Sequence, residues 1–405
     1  MSELYQLPNG WEWKKLDIIT KIVGGGTPRT NIDEYWDNGN IVWLSPTDLG
    51  SIGEIIEVSD SKDKITTQGL ENSSAKLLPI GTVLYSSRAT IGKIAINTVE
   101  VSTNQGFANF ICNKELLNKY LAYALCRFTE DITNLSNSTT FKEVSKSSLK
   151  EFNIPLPPFS EQQRIVAKLD SLFEKIDKAI ALHVKNMEEA DGFMASALSD
   201  VFSELEEKYG RQSILDGVYI GCKRGFNPTT KDGKVPFIGM SDIDEQNGIK
   251  TKYTLEDIEK VSNGKTKFQK NAVLVGKITP CTQNNKTTIV PPEIDGGYAT
   301  TEVYALHSMD NIYPYYLNYF MRSKKVNDYL VSTMVGATGR QRVPSNAILN
   351  LHIAIPNLQI QHKVVTYLDD LSSKIEHVKK VQKEKMENLK ALKASILDSA
   401  FRGEL

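Results

Sequence analysis

Long apolar runs are absent from this sequence: no stretch nears the roughly 18 consecutive apolar residues that a membrane-spanning helix needs. Met1-Ser-Glu-Leu-Tyr5 carries no basic segment followed by an apolar run, so no secretory signal is expected. Cysteine is scarce. Cys112, Cys126, Cys222 and Cys281 lie far apart and form no C-x-x-C pair, which argues against a disulfide framework or a zinc ribbon. A reducing cytoplasm is the expected compartment. An excess of charge is missing too: 48 basic residues stand against 49 acidic ones, a net charge of −1. Proteins that wrap nucleic acid by bulk charge are basic. Any DNA binding here must rest on local positive charge or on a partner.

Recognisable catalytic motifs are equally lacking. Gly264-Lys-Thr266 imitates the end of a P-loop, but Glu259 stands where its first glycine belongs, so the phosphate cradle is incomplete. Gly24-Gly-Gly-Thr-Pro28 follows a strand-like run, yet Pro28 blocks the usual Rossmann helix start. A turn or a close backbone approach is expected there instead. His183, His307, His352, His362 and His377 have no metal-binding spacing, and His183 falls on a helical seam as a packing or register residue. Ser45-Pro-Thr-Asp48 faintly resembles the substrate-amine loop of adenine methyltransferases. No glycine-rich cofactor motif accompanies it, and a structural role is the better reading. No catalytic, cofactor-binding or metal-binding residue is therefore assigned.

What is present is a repeat. The 405 residues, 40% hydrophobic and 24% charged, have room for two to four domains. Residues 154–202 align with residues 353–401 without a gap at offset 199, with 15 identities in 49 positions. Among them are Pro157/Pro356, Gln162/Gln361, Asp170/Asp369 and Phe202/Phe401. Weaker echoes precede each copy. Trp43–Leu49 resembles Phe237–Ile243 at offset 194, and Gly81–Leu84 resembles Asn271–Leu274 at offset 190. The offset drifts only in the first part of each half, so loop insertions sit there, as on a variable surface carried by a fixed frame.

Both repeated segments read as long helices. Ser160-Glu-Gln-Gln163 resembles a capping box. Ile165, Leu169, Leu172, Ile176, Ala179, Ala190, Phe193 and Ala197 continue at alternating spacing of four and three, with a parallel row from Val166 to Val201. The second copy offers Leu368, Leu371, Ile375, Val378, Gln382, Leu389, Leu392 and Ile396. Such seams indicate a coiled coil, here two antiparallel helices, each reaching roughly 70 Å at about 1.5 Å per residue. The segments before them carry short β-type runs, such as Ile41–Leu44, Ile94–Ile96, Pro236–Ile238 and Ala272–Val275. Helical stretches near Leu116–Arg127 and Tyr315–Lys325 follow, and a strand-like run covers Ile348–Ile355. The expected class is α+β: two globular α/β domains (1–153 and 206–352), each followed by a spacer helix (154–205 and 353–405), in a pseudo-two-fold tandem repeat.

This order of parts resembles the DNA-specificity subunit of type I restriction–modification systems. The motifs that carry the resemblance are Leu7-Pro-Asn-Gly-Trp11, Gly24–Pro28, Ile154-Pro-Leu-Pro-Pro158 with Glu161-Gln-Gln-Arg-Ile-Val166, and the terminal Ile396–Gly403. The second copy departs from the pattern: Ala354-Ile-Pro-Asn357 replaces the proline-rich run and Ile360 stands where Glu161 stands, which weakens the cap. The resemblance implies two target-recognition domains, each reading half of a split, asymmetric site on double-stranded DNA, and helices that set the spacer. It also implies two methyltransferase subunits and two restriction/translocase subunits as partners. S-adenosylmethionine, ATP and Mg then belong to those partners, and this chain is non-catalytic.

Base reading needs Arg, Lys, Asn or Gln at the surface, and phosphate contacts need Lys and Arg. The strongest cluster is Gly336-Ala-Thr-Gly-Arg-Gln-Arg342, where Arg340, Gln341 and Arg342 supply donors. Lys142 is the first domain's counterpart of Gln341. Other candidates are Arg29, Arg88 and Lys93, then Lys223, Arg224, Lys277, Gln283, Asn284, Asn285 and Lys286. Two alternatives stay open: a coiled-coil protein-binding adaptor without DNA recognition, and a self-sufficient enzyme with an unfamiliar site.

Overall fold

The computed structural model describes residues 5–136, 142–245, 248, 251–337 and 339–405. It divides into two compact units, Met1–Leu182 with Glu384–Leu405, and His183–Lys383. The linear division into globular part and following helix is thus not how the chain packs. Each unit joins one globular part to the near half of both long helices.

In the first unit, a five-stranded sheet runs in the order Thr20–Gly24, Phe107–Cys112, Val83–Ser86, Ile94–Asn97, Ile55–Val58. Its neighbours are antiparallel except the last pair. Val83–Ser86 and Ile94–Asn97 are buried at every position, which is why they read as unbroken apolar runs rather than alternating ones. A second sheet joins Asp63–Ile65, Ile41–Leu44 and Val101–Thr103, the latter two in parallel. Helix Asn118–Arg127 buries Tyr120–Leu125 against the first sheet.

The second unit has the same plan. Val218–Ile220, Val303–Ser308, Val273–Gly276 and Thr287–Ile289 form one sheet. Thr254–Asp257, Lys234–Ile238, Gly296–Ala299 and Thr266–Gln269 form the other, again with one parallel pair. The units differ at their edges. Among the described residues the second unit has no strand in the place of Ile55–Val58, and the Thr266–Gln269 strand shrinks in the first to a single bridge between Leu78 and Val101. The strand-like run over 348–355 is strand at only two of its residues. Ser345–Leu349 is helical, and only His352–Ile353 pairs, with Gln212–Ser213.

The long helices span Phe159–Tyr209 and Leu358–Arg402. The first does not use Ser160 as a cap. It opens after Pro158, whose carbonyl accepts from the Glu161 and Gln162 amides at 2.9 and 3.1 Å. The second, expected to be the weaker start, has the side-chain cap: Asn357 Oδ1 accepts from the Ile360 amide at 3.0 Å. Within each unit the helix segments run antiparallel. Lys393 meets Asp177 at 2.8 Å and Arg164 meets the Leu405 carbonyl at 2.7 Å in the first unit. In the second, Lys379 meets Asp191 at 2.7 Å and His183 bonds Gln382.

The seam differs from its expected course. Phe193, Val378 and Leu392 are 58%, 42% and 48% exposed and face outward. The helices are fully packed near the globular parts, at Ile165, Leu169, Phe173 and Ile176 and again at Leu198, Phe202 and Leu205. The mostly buried side chains of Lys379 and Lys393 also lie along the seam, Lys393 over the Phe173 ring at 4.8 Å, and their ammonium groups reach aspartates on the facing helix.

The repeat identities are explained by how each globular part grips its helix. Gln162 is fully buried; its Oε1 accepts from the Leu117 amide at 2.8 Å, and its Nε2 donates to the Glu115 and Pro157 carbonyls at 2.7 and 3.0 Å. Gln361 does the same with Tyr313 at 2.7 Å and with Asn311 and Pro356 at 2.8 Å each. Tyr123 donates to Asp170, and Tyr319 to Asp369, both at 2.6 Å. Phe401 packs on Tyr120 at 5.1 Å between ring centroids, and Phe202 on Tyr316 at 5.3 Å.

Candidate nucleic-acid interface

Each unit carries one backbone junction that gathers sequence-selected residues. In the second, the chain leaves Val273–Gly276 through Lys277 and meets the returning loop after residue 335. The Thr279 amide donates to the Gln341 carbonyl at 3.0 Å, and the Val343 amide to the Lys277 carbonyl at 2.8 Å. Val335 and Arg342 exchange both backbone hydrogen bonds, at 2.9 and 2.8 Å, which closes the loop into a hairpin. Gly336 and Gly339 take φ of +128° and +79°, where a β-carbon is disfavoured. Arg340 and Arg342 are exposed and Gln341 is half-buried. Residue 338 lies outside the described residues.

The first unit repeats the junction with other side chains. The Ala89 amide donates to the Lys142 carbonyl at 3.0 Å and the Val144 amide to the Ser87 carbonyl at 2.9 Å. Lys142 therefore occupies the position of Gln341. Ala89 adopts φ +61°, uncommon for a residue with a β-carbon, beside the exposed Arg88. Arg88 pairs with Glu143 at 3.6 Å, both half exposed. Residues 137–141, which include Asn137 to Phe141 of the expected loop, lie outside the described residues.

Three other candidates are committed inward. Lys93 Nζ donates to the Pro46 and Leu49 carbonyls at 2.9 and 3.3 Å. Lys286 Nζ donates to the Met240 carbonyl at 3.0 Å. Each thus ties down the same turn, Ser45–Asp48 or Gly239–Asp242. There the first residue's amide bonds the aspartate at 2.7 Å (Ser45 to Asp48) or 2.8 Å (Gly239 to Asp242). Asn285 Nδ2 donates to the Arg322 carbonyl at 2.8 Å. Exposed Asn284 bonds Glu245 at 3.1 Å, and Gln283 is exposed.

Arg29, Lys223 and Arg224 are exposed on other loops. Lys223 and Arg224 lie beside Thr266–Gln269, where the Lys223 amide donates to Gln269 at 2.9 Å. The glycines before Arg29 serve close approach rather than a left-handed turn. A β-carbon on Gly25 would collide with the Thr103 and Asn104 carbonyls, and one on Gly26 with Ser74 and Ala75.

Sequence reasoning missed Glu302, Tyr304 and Arg322. Glu302 Oε1 accepts from Arg342 Nη2 at 2.9 Å. Tyr304 donates to the Val343 carbonyl at 2.8 Å, and the Lys277 ammonium lies 4.7 Å from the centre of its ring. Burial pulls the Lys277 ammonium down from its ordinary range, Glu302 opposes this, and Arg342 adds to it. Arg322 is half-buried and donates to the Thr287 and Glu245 carbonyls at 2.7 and 3.1 Å, bracing the turn that holds Asn284. Only Glu302, a charge heading an apolar strand, carried a signal in the sequence. Among the described residues no helix is long and apolar enough to cross a membrane, and no group of three or more His, Cys, Asp or Glu is placed to hold a metal ion.

Comparison with known proteins follows the same division. The profile of the type I restriction modification DNA specificity domain matches residues 8–186 and 220–387. The MjaIX type I restriction enzyme specificity subunit of Methanocaldococcus jannaschii is 38% identical over 182 residues, 44% of this chain and 42% of that protein. The EcoR124I/EcoR124II specificity subunit of Escherichia coli is 34% identical over 190 residues, 44% of this chain and 46% of that protein. The match to each of these two thus spans less than half of the relative's length. The EcoKI specificity subunit of Escherichia coli K12 is 19% identical over 427 residues, 99% of this chain and 90% of that protein. Among solved structures, a chain from work on complex assembly and conformational transition of the type I R-M system superposes with a TM-score of 0.75. It is 20% identical and covers 99% of this chain and 100% of its own length. The HsdS subunit from Thermoanaerobacter tengcongensis gives 0.54 at 19% identity, covering 100% and 99%. These two likenesses show the fold. The family profile accounts for most of both halves of the sequence, and the protein belongs to the type I restriction–modification DNA specificity family.

Proposed function

We propose that this chain is the non-catalytic reader of a bipartite, asymmetric DNA target within a type I restriction–modification complex. One observation carries the reading: the two units hold the same backbone junction, Ala89 to Lys142 and Thr279 to Gln341, but dress it with different side chains. A shared frame with divergent reading residues suits two unlike half-sites. Arg88 and Lys142 serve the first, and Arg340, Gln341 and Arg342 the second, with Lys277 in support. Arg29, Lys223 and Arg224 fit phosphate contacts. Lys93, Asn285 and Lys286 act indirectly, by holding the turns described above.

Two methyltransferase subunits dock on the helices and adjoining surfaces, and two restriction subunits complete the complex. S-adenosylmethionine, ATP and Mg, and the chemistry they support, belong to those partners in the cytoplasm. A near-neutral chain suits this division, since partners share the neutralisation of phosphate. The test combines the purified chain with its modification subunits and S-adenosylmethionine and maps methylated adenines. One split motif with unlike halves is expected, and none from the chain alone. Methylation by the chain alone overturns the reading.

A further inference from the structure

We propose that Glu302 determines base selectivity in the second half-site by aiming Arg342 at a guanine. The inference rests on the reading that the residue 336–342 loop contacts DNA. A carboxylate beside a loop that meets a polyanion weakens binding unless it has other work. Here it is held in place. The Glu302 carbonyl accepts from the Lys277 amide at 2.9 Å, and Oε1 accepts from Arg342 Nη2 at 2.9 Å. Among the described residues Oε2 is buried without a hydrogen-bond partner. The Glu302 side chain is 24% exposed against 59% for Arg342, so the acid is the seated member and the guanidinium projects. Arg342 is also fixed at its backbone, through both bonds to Val335, and its neighbour Val343 is held by Tyr304 and Lys277.

Guanidinium carries five donors in a rigid fork. With one Nη2 hydrogen engaged by Glu302, the remaining donors stay available on the exposed side. That fork matches O6 and N7 of guanine in the major groove. The Lys277 ammonium sits over Tyr304 and adds a second positive charge that Glu302 also attracts. In the first unit the bridge Arg88 to Glu143 stands where the second has Ile278 to Arg342, and the backbone place of Glu302 is taken by Gly106, whose carbonyl accepts from the Ser87 amide at 2.8 Å. The clamped geometry is specific to the second unit, and so is the expected effect.

The experiment uses the full complex with its modification subunits. It compares wild type, Glu302→Gln, Glu302→Asp, Arg342→Ala and the Glu302→Gln/Arg342→Ala double variant. Binding is measured to the target, to every single-base variant of both half-sites and to non-specific duplex, at several salt concentrations. Arg342→Ala is expected to lower discrimination at one guanine of the second half-site about tenfold. Glu302→Gln is expected to lower it at the same position about fivefold or more, at the scale of one oriented contact. Its affinity for non-specific duplex should stay equal or rise, because a negative charge is gone. Glu302→Asp should retain part of the discrimination, the double variant should lose no more than Arg342→Ala, and the first half-site should not change. Uniformly tighter binding of Glu302→Gln with discrimination intact overturns the proposal and leaves Glu302 a surface anion, as does additive loss in the double variant. If Arg342→Ala changes neither affinity nor discrimination, the loop does not read DNA, and both readings fall together. Thermal midpoints of the variants separate misfolding from lost selectivity.

Discussion

A lysine's reach decides whether its charge serves a partner or its own fold. Lys93 and Lys286 look like surface cations in the sequence, yet each spends its ammonium on a carbonyl 46 or 47 residues away. Arg340 and Arg342 stand apart because two glycines shape the hairpin that presents them. Arg340→Ala and Arg342→Ala are each expected to weaken binding by the full complex, and at least one should act on the second half-site only. A base contact is worth about 1–3 kcal/mol of discrimination, whereas a phosphate contact weakens all sequences alike and lowers the salt slope by about one. Titration of binding against half-site variants and salt distinguishes the two roles; wild-type behaviour of the double variant would return both arginines to the solvated surface. The arginine loop was legible in the sequence because glycine and arginine advertise a turn with donors. Tyr304 was not, and Glu302 showed only as a charge heading an apolar strand, because their partners come from a loop about 40 residues further on.

His307 supports a pH prediction. It is 3% exposed, stacks on Tyr219, and accepts the Gln269 amide at Nε2, so its neutral form carries the proton on Nδ1. Burial pushes its pKa down from 6.5 to about 4. Because the unfolded chain binds a proton more readily, the stability His307 contributes is present above pH 6.5 and is lost as pH falls towards 4. The full loss is about 3 kcal/mol. Urea midpoints of the second unit's transition between pH 7 and 4.5 should show this slope, and His307→Phe should flatten it. An unchanged slope in the variant would contradict the assignment.

At the scale of elements, the buried glutamines couple globular parts to helices through three hydrogen bonds each. Replacing Gln162 by leucine strands the Leu117 amide and two carbonyls, a loss of about 3 kcal/mol. Hydrogen exchange should report loosening of the first unit for Gln162→Leu and of the second for Gln361→Leu. Equal loosening of both units by either variant would contradict the local role. The helices themselves were plain in the sequence, since a long 3–4 alternation repeated at one offset has few other meanings. The seam was less plain. Apolar spacing put Phe193, Val378 and Leu392 inside, but these face outward while Lys379 and Lys393 are mostly buried, and residue type alone does not say which face a lysine takes. If the helices act as a ruler, an in-register heptad inserted into both should lengthen the gap between methylated half-sites and leave their sequences unchanged. A changed half-site at constant spacing would end the ruler idea.

For the whole molecule, the repeat shows how one chain supplies two comparable units. The second unit is continuous, from His183 to Lys383, whereas the first is completed by Glu384–Leu405 from the far end of the chain. Tyr5 donates to the Phe401 carbonyl at 2.7 Å, and Phe401 fills in the first unit the place that Phe202 fills in the second. The sequence showed the duplication but not this exchange of ends, because offset alignment compares copies and does not say which copy a helix end packs on. The central claim is that these two units read two unlike half-sites. Its most direct test is single-molecule sequencing of adenine methylation on DNA treated with the complex of this chain and its modification subunits. Wild type should mark one split motif with different halves, and the Arg340→Ala/Arg342→Ala variant should relax the second half while the first stays intact. A continuous or palindromic motif, or equal relaxation of both halves, would contradict the account.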